Sequence, residues 1–432
     1  MLAKGEHTTH HLSTRQKRRE TCKIQRQQSH RSQMMPLGAL LIWTATALVP
    51  PAPHTRRLEP LSATLTVYST LGCPHCQRCK KALDAAGLAY DVVDVADAAA
   101  RAALEARCGL PTVPQVYLDD ERVGGADDTL EALADGWLLE RDIARVEPKR
   151  VEKTEEAVIF IDAPPGGPLN APVEGRAVEA IEGDVAARLQ RSALELIDAH
   201  VTLEGIDYAS LKTSRQFQNF VDIARRLPDI DGASVGDAFW INLYNAMVLH
   251  ATVVLGPPED TPEARTAFFS GATGATYEVA GHILSLDDVE HALLRRSPAG
   301  DARSFTEDDA RRRTFAPTLA RKFDNRIHFA LNCGASSCPP VKLFRDESLD
   351  EDLAAAARAF VGSEVSVSGS TVTASKLFLW YGGDFGEDVL PAIAALGAGT
   401  PSGDAVAGLV EDGDVELAFA DYDWSPNDAS SV

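Results

Sequence analysis

An alternating, β-rich run at residues 63–69 leads directly into Gly72-Cys73-Pro74-His75-Cys76 and a helical stretch over 74–86 that ends at Gly87. This Cys-x-x-Cys pair at a strand-to-helix junction constrains the chain more than any other feature. A helix N-terminus offers unpaired N–H groups and about half a positive charge, which favour a thiolate. Proline in the first turn costs no hydrogen bond, because its missing N–H would have no partner there. The spacing therefore gives Cys73 a lowered pKa and a solvent-facing sulfur, with Cys76 one turn deeper as a resolving thiol. A zinc knuckle is the competing use, with Cys79, Cys108 and His75 as further ligands; the order of elements argues for the dithiol.

The downstream pattern supports a compact α/β unit. A second strand is expected at 89–95, an Ala-rich helix at 98–107, a third strand at 113–118, a short fourth strand at 122–123 and a last helix over 129–137. In this order, Thr66-Val-Tyr-Ser-Thr-Leu-Gly-Cys-Pro-His-Cys76, Thr112-Val113-Pro114 and Val123-Gly-Gly-Ala-Asp-Asp128 resemble the glutaredoxin family over about residues 63–140. The resemblance implies a thioredoxin-like α/β domain, a four-stranded mixed sheet with flanking helices. It implies glutathione as reductant and disulfide-containing proteins as substrates. Cys73 and Cys76 become the catalytic pair, and Pro114 a cis proline beside the active thiol. Thr112 and Val113 would pair with the cysteinyl part of glutathione, while Ala126 and Asp127 would hold its γ-glutamyl end. A helix N-terminus suits that carboxylate-bearing end. Thr70 stands where the family often has lysine, so Gln77, Arg78 and Lys80 are the side chains expected to compensate. His75, where many members have tyrosine, reads as solvent-facing. Cys79 and Cys108 read as packing residues.

At 432 residues the chain is too long for that unit alone. Residues 141–185, with Pro148 and Pro-Pro-Gly-Gly-Pro at 164–168, read as a linker, and 186–428 as a larger α+β domain. A long buried helix is expected over 235–254, and strands over 277–283, 326–331 and 365–373. Asn242 and Asn245 lie three apart on that helix, with His250 further along. Arg326-Ile-His-Phe-Ala-Leu-Asn-Cys-Gly-Ala-Ser-Ser-Cys-Pro-Pro340 carries His328, Cys333 and Cys338. With Leu377-Phe-Leu-Trp-Tyr-Gly-Gly-Asp-Phe-Gly386 and Tyr422-Asp-Trp424, these stretches resemble the family called domain of unknown function 547 over about 210–425, which brings no activity with it. Read from the residues, Cys333 or Cys338 is a candidate nucleophile, His250 or His328 its base, and Asn242 or Asn245 the orienter. The two cysteines forming a disulfide, serving as the redox domain's own substrate, or merely packing in a loop are the alternatives. His282 and His291 read as surface residues.

Lys plus Arg total 42 against 63 Asp plus Glu, a net charge of −21, which argues against a nucleic-acid partner. The basic residues concentrate at the start, eight against two acids in residues 1–33, ahead of an apolar segment at 37–49. Thirteen residues fall short of the ~20 needed to span a bilayer, so no stable transmembrane segment is expected. Residues 1–62 instead read as a targeting or disordered leader, for the secretory route or an organelle such as a plastid, with the cytoplasm as the alternative. The expected function is glutathione-dependent thiol–disulfide exchange by Cys73 and Cys76, with no metal. Two alternatives stand beside it: a glutathione-ligated iron–sulfur cluster on Cys73, and a carboxy-terminal Cys/His enzyme regulated by the redox domain.

Overall fold

Alternation in the first strand sets the first sheet. Leu65, Val67 and Ser69 of β1 (Leu65–Ser69) are buried, while Thr66 and Tyr68 between them are half-buried. A computed structural model describes this and the rest of residues 63–429, apart from 71–72, 96–97, 111, 147–166, 174–182, 203–204, 299–300 and 414. The expected leader, with its apolar segment, and most of the expected linker lie outside the described residues.

β1 runs parallel to β2 (Asp91–Asp94) and antiparallel to β3 (Gln115–Leu118), which pairs antiparallel with β4 (Glu121–Gly124). The order is β2-β1-β3-β4, a four-stranded mixed sheet. Val67 is central, with Val92 beside it on one strand and Val116 on the other. Helices α1 (Pro74–Ala85), α2 (Ala98–Cys108) and α3 (Ala126–Ala134) flank the sheet. Leu83 and Cys79 of α1 pack with Leu65, Val67 and Val116 into one apolar cluster. This is a thioredoxin-like fold. Gly87 follows α1 at φ 65°, a left-handed conformation that glycine adopts without a Cβ penalty.

The larger region has its own core, built around α6. Helices α4 (Val185–His200) and α5 (Arg215–Ala224) pack on one another, and α4 also packs against α6 (Asp237–Leu255). Every α6 residue from Ala238 to Ala251 is buried. This helix is long and apolar enough to cross a membrane, and its burial shows where that apolarity is used. A hairpin, β5 (Thr276–Val279) with β6 (His282–Ser285), turns at Ala280 and Gly281 with φ 51° and 74°. Two consecutive positive-φ residues are what a type I′ turn requires. Strands β7 (Ser366–Ser368), β8 (Thr371–Ala374) and β9 (Glu416–Phe419) form a three-stranded sheet.

One expectation is corrected. Residues 326–331 do not form a strand: Asn325–Phe329 is a 3₁₀ turn capped by the Asp324 carboxylate, which accepts from Arg326 N–H. A short apolar run carries no period long enough to separate strand from helix. The described ends of segment 141–185 also pack. Ile143 bridges to Ala63, and Arg145 to Leu88. Asn170 donates to the Ala224 and Glu278 carbonyls, both at 2.9 Å.

The two regions touch through α1 and α4. Gln77 Nε2 donates to Ile197 O and to Asp198 Oδ1, each at 3.5 Å, and Lys80 lies 3.8 Å from Asp198. Arg101 and Asp352 add an ion pair at 3.6 Å.

Candidate functional site

Cys73 caps α1. Its extended backbone (φ −91°, ψ 111°) leaves Sγ at the helix N-terminus, where it accepts the Cys76 N–H at 3.3 Å. Cys73 is half-buried and Cys76 is buried, so one sulfur faces outward and the other inward. The hydrogen bond from the Cys76 thiol lowers the Cys73 pKa to about 7, opposed by burial and helped by the Cys76 and His75 backbone N–H groups and by Lys80. Cys76 is driven upward, first as donor to Cys73 and then by burial. One thiol is thereby ionised near neutral pH while its neighbour holds its proton, the asymmetry a nucleophile and a resolving thiol need.

The Val113–Pro114 loop lies beside the Cys73 sulfur, and α1 packs against α3. Cys73 Sγ lies 3.9 Å from Val113 O, and the Val113–Pro114 bond is cis. Thr112 is exposed and Pro114 buried, so the loop offers backbone beside the sulfur. Ala126 and Asp127 open α3, with Gly125 as N-cap. Asp128 holds that start by accepting from Gly125 N–H at 2.9 Å, and Arg78 of α1 pairs with Asp127. The side chains expected to replace the lysine at Thr70 are engaged elsewhere: Gln77 and Lys80 reach α4, and Arg78 is on Asp127. Lys342 of the larger region is half-buried; burial lowers its pKa, and the charges of Asp352 and Cys73 act on it. His75 is exposed; Cys79 is buried, with its thiol pKa raised by burial.

The second candidate set divides. Asn242 and Asn245 are structural clamps. Asn242 donates to Phe344 O at 2.7 Å and accepts from Phe344 N–H at 3.0 Å. Asn245 donates to Ala330 O and accepts from Asn332 N–H, both at 2.9 Å. His250 is fully buried against the Tyr277 hydroxyl at 2.7 Å, and burial takes its pKa down to about 3. None of these three residues lines the cavity that His328, Cys333 and Cys338 share. The cavity measures about 400 Å³. Cys333 and Cys338 are joined as a disulfide, so the candidate nucleophile is an oxidised pair.

Around that cavity stand residues the sequence reading missed. His328 Nε2 lies 2.8 Å from Asp384 Oδ2, so its orienter is a carboxylate rather than an asparagine, and its ring stacks on Tyr381 with centroids 4.0 Å apart. Burial would raise the Asp384 carboxyl, but hydrogen bonds from His328 and Arg295 hold it at about 2. Glu290 is buried in a π-helical turn, Asp288–Leu294, and accepts from the Tyr244 hydroxyl at 3.0 Å and the Tyr381 hydroxyl at 2.6 Å. His291 is also buried rather than on the surface; burial lowers its pKa to about 4, and its Nδ1 accepts from Arg295 at 2.8 Å. His282 is half-buried, 2.8 Å from the Thr314 hydroxyl. The π turn was one structural signal of a site here, and no sequence pattern announces it.

Fold and dithiol geometry define a class, the thiol–disulfide oxidoreductases. Residues 65–123 match the glutaredoxin family, and residues 236–361 match the family described as protein of unknown function, DUF547. The chain therefore joins a glutaredoxin domain to a DUF547 domain. Among solved structures it is similar to a buckwheat glutaredoxin in complex with glutathione, at 33% identity, covering 18% of this chain and 74% of that one with a TM-score of 0.17. It is also similar to glutaredoxin 1 of Francisella tularensis complexed with cacodylate, at 31% identity, covering 18% and 100% with the same score of 0.17. Glutaredoxin C1 of Populus tremula x tremuloides in its reduced form matches at 30% identity over 18% of this chain and 70% of its own, TM-score 0.17. No curated protein matches the chain.

Proposed function

We propose that the glutaredoxin domain reduces mixed disulfides between proteins and glutathione, with Cys73 as nucleophile. The observation that carries this reading is the Cys73 sulfur at the start of α1, accepting the Cys76 N–H at 3.3 Å and ionising at about 7. The Cys73 thiolate attacks the glutathione sulfur of the mixed disulfide. The protein thiolate departs with the electron pair of the broken bond and takes a proton, leaving glutathione on Cys73. A second glutathione thiolate attacks that sulfur, releases Cys73 and forms glutathione disulfide, so two glutathione electrons reduce one substrate bond. Alternatively Cys76 attacks Cys73 Sγ, expelling glutathione as a thiolate and leaving a Cys73–Cys76 disulfide that two further glutathione molecules reduce.

Thr112, Val113 and cis Pro114 would receive the cysteinyl segment of glutathione along their backbone, as an added strand. Ala126 and Asp127 would meet its γ-glutamyl end at the start of α3. A similar buckwheat glutaredoxin is found in complex with glutathione, which supports glutathione as the ligand. The domains are proposed as 63–140 and 186–428, with 1–62 as leader and 141–185 between them. The test is glutathione-coupled reduction of a mixed disulfide by the full chain. Cys73→Ser should lower turnover to the uncatalysed background and Cys76→Ser should keep most of it. Activity that survives Cys73→Ser would refute the assignment.

A further inference from the structure

The Cys333–Cys338 disulfide borders the 400 Å³ cavity of the DUF547 domain, and both cysteines are half-buried there. The two sulfurs are not equivalent. Cys338 Sγ receives the Cys333 N–H at 3.0 Å and lies 3.0 Å from the Tyr422 hydroxyl, which is further from Cys333 Sγ, at 3.6 Å. Burial raises the Tyr422 pKa, so this hydroxyl keeps its proton and can donate it in a hydrogen bond. Donors converging on a sulfur stabilise it as a thiolate, and the sulfur that carries negative charge best is the better leaving group. The Tyr422 ring packs against both Trp380 and Trp424, with centroids 4.9 and 4.6 Å away, in a cluster that restricts where its hydroxyl points.

We propose that Cys333–Cys338 is a redox-active cystine, opened by a small thiol entering the cavity, with Cys338 as the leaving thiolate. The entering thiolate bonds to Cys333 Sγ. The Cys333–Cys338 bond breaks, and its electron pair stays on Cys338 Sγ between the Tyr422 hydroxyl and the Cys333 N–H. A second thiol then attacks the entering sulfur, leaving Cys333 reduced and the two small thiols joined as a disulfide. Reduction places a thiolate in a cavity lined by Glu290, His291 and His328, whose ring is held by Asp384 from outside the lining. This exchange is independent of Cys73.

The test uses the full chain carrying Cys73→Ser and Cys76→Ser, incubated folded with glutathione, acid-quenched, alkylated and mapped by peptide mass spectrometry. We expect reduction of the pair without denaturant and, in a chain that also carries Cys338→Ser, a glutathione adduct on Cys333 formed from added glutathione disulfide. Once reduced, Cys338 should alkylate with a midpoint about one pH unit below that of an ordinary cysteine, and Tyr422→Phe should move the midpoint back up. A pair that resists glutathione in the folded chain, or a Cys338 midpoint at the ordinary value, overturns the proposal. Both readings come from the chain with Tyr422 intact and stand whether or not the Tyr422→Phe chain folds.

Discussion

Cys73 and Cys76 are three residues apart and share a helix turn, yet their thiols behave oppositely. The position at the helix start makes the difference: Cys73 accepts hydrogen bonds there, while for Cys76 donation to Cys73 and burial outweigh the hydrogen bonds from Thr70 and Ser69. With a pKa of about 7, about a tenth of Cys73 is thiolate at pH 6 and about nine-tenths at pH 8. Its alkylation rate in the full chain should therefore rise through pH 7 and level off above 8. A midpoint near that of free cysteine, about 8.5, would remove the structural basis for a nucleophile here. A second prediction concerns a residue that looked catalytic. Asn245→Ala leaves Ala330 O and Asn332 N–H without their partner inside the core. It should cost about 1–3 kcal/mol in denaturant unfolding, with the Cys73 alkylation profile unchanged. A cost near zero would contradict the clamp.

At the scale of elements, what was readable depended on how local the information was. The Cys-x-x-Cys junction, α1 with Gly87 behind it, and the apolar run of α6 are written in contiguous residues, and the structure has each of them. The second site is not contiguous. His328 and Asp384 are 56 positions apart, and Glu290 and Tyr381 are 91 apart. No helical or strand period connects such residues, so only the packed elements reveal the set. The amide pair on α6 misled for a related reason: a buried Asn serves equally to orient a base or to tie down a loop, and its partners decide which. The 3₁₀ turn at Asn325–Phe329 was hidden because a short apolar stretch fits strand and helix alike.

For the molecule as a whole, the glutaredoxin and DUF547 domains keep separate apolar clusters, and the contacts described between them are polar: Gln77 and Lys80 with the end of α4, and Arg101 with Asp352. The two ion pairs are partly exposed, and pairs near a surface contribute about 0–1 kcal/mol each, too little to merge two cores into one cooperative unit. Calorimetry should therefore resolve two unfolding transitions, with excess glutathione raising that of the glutaredoxin domain alone. A single transition would contradict two independent cores. Lys342 adds a charge from the larger domain at the Cys73 thiolate, so Lys342→Ala should raise the Cys73 alkylation midpoint. An unchanged midpoint would show that the larger domain does not tune this thiol.

The most direct test of the central claim is where glutathione attaches. The full chain with Cys76→Ser, treated with glutathione disulfide at neutral pH and mapped by peptide mass spectrometry, should carry a glutathione adduct on Cys73, because that sulfur alone combines a lowered pKa with partial exposure among the free cysteines described. An adduct on Cys79 or Cys108 with Cys73 unmodified, or no adduct on any of the three, would contradict it.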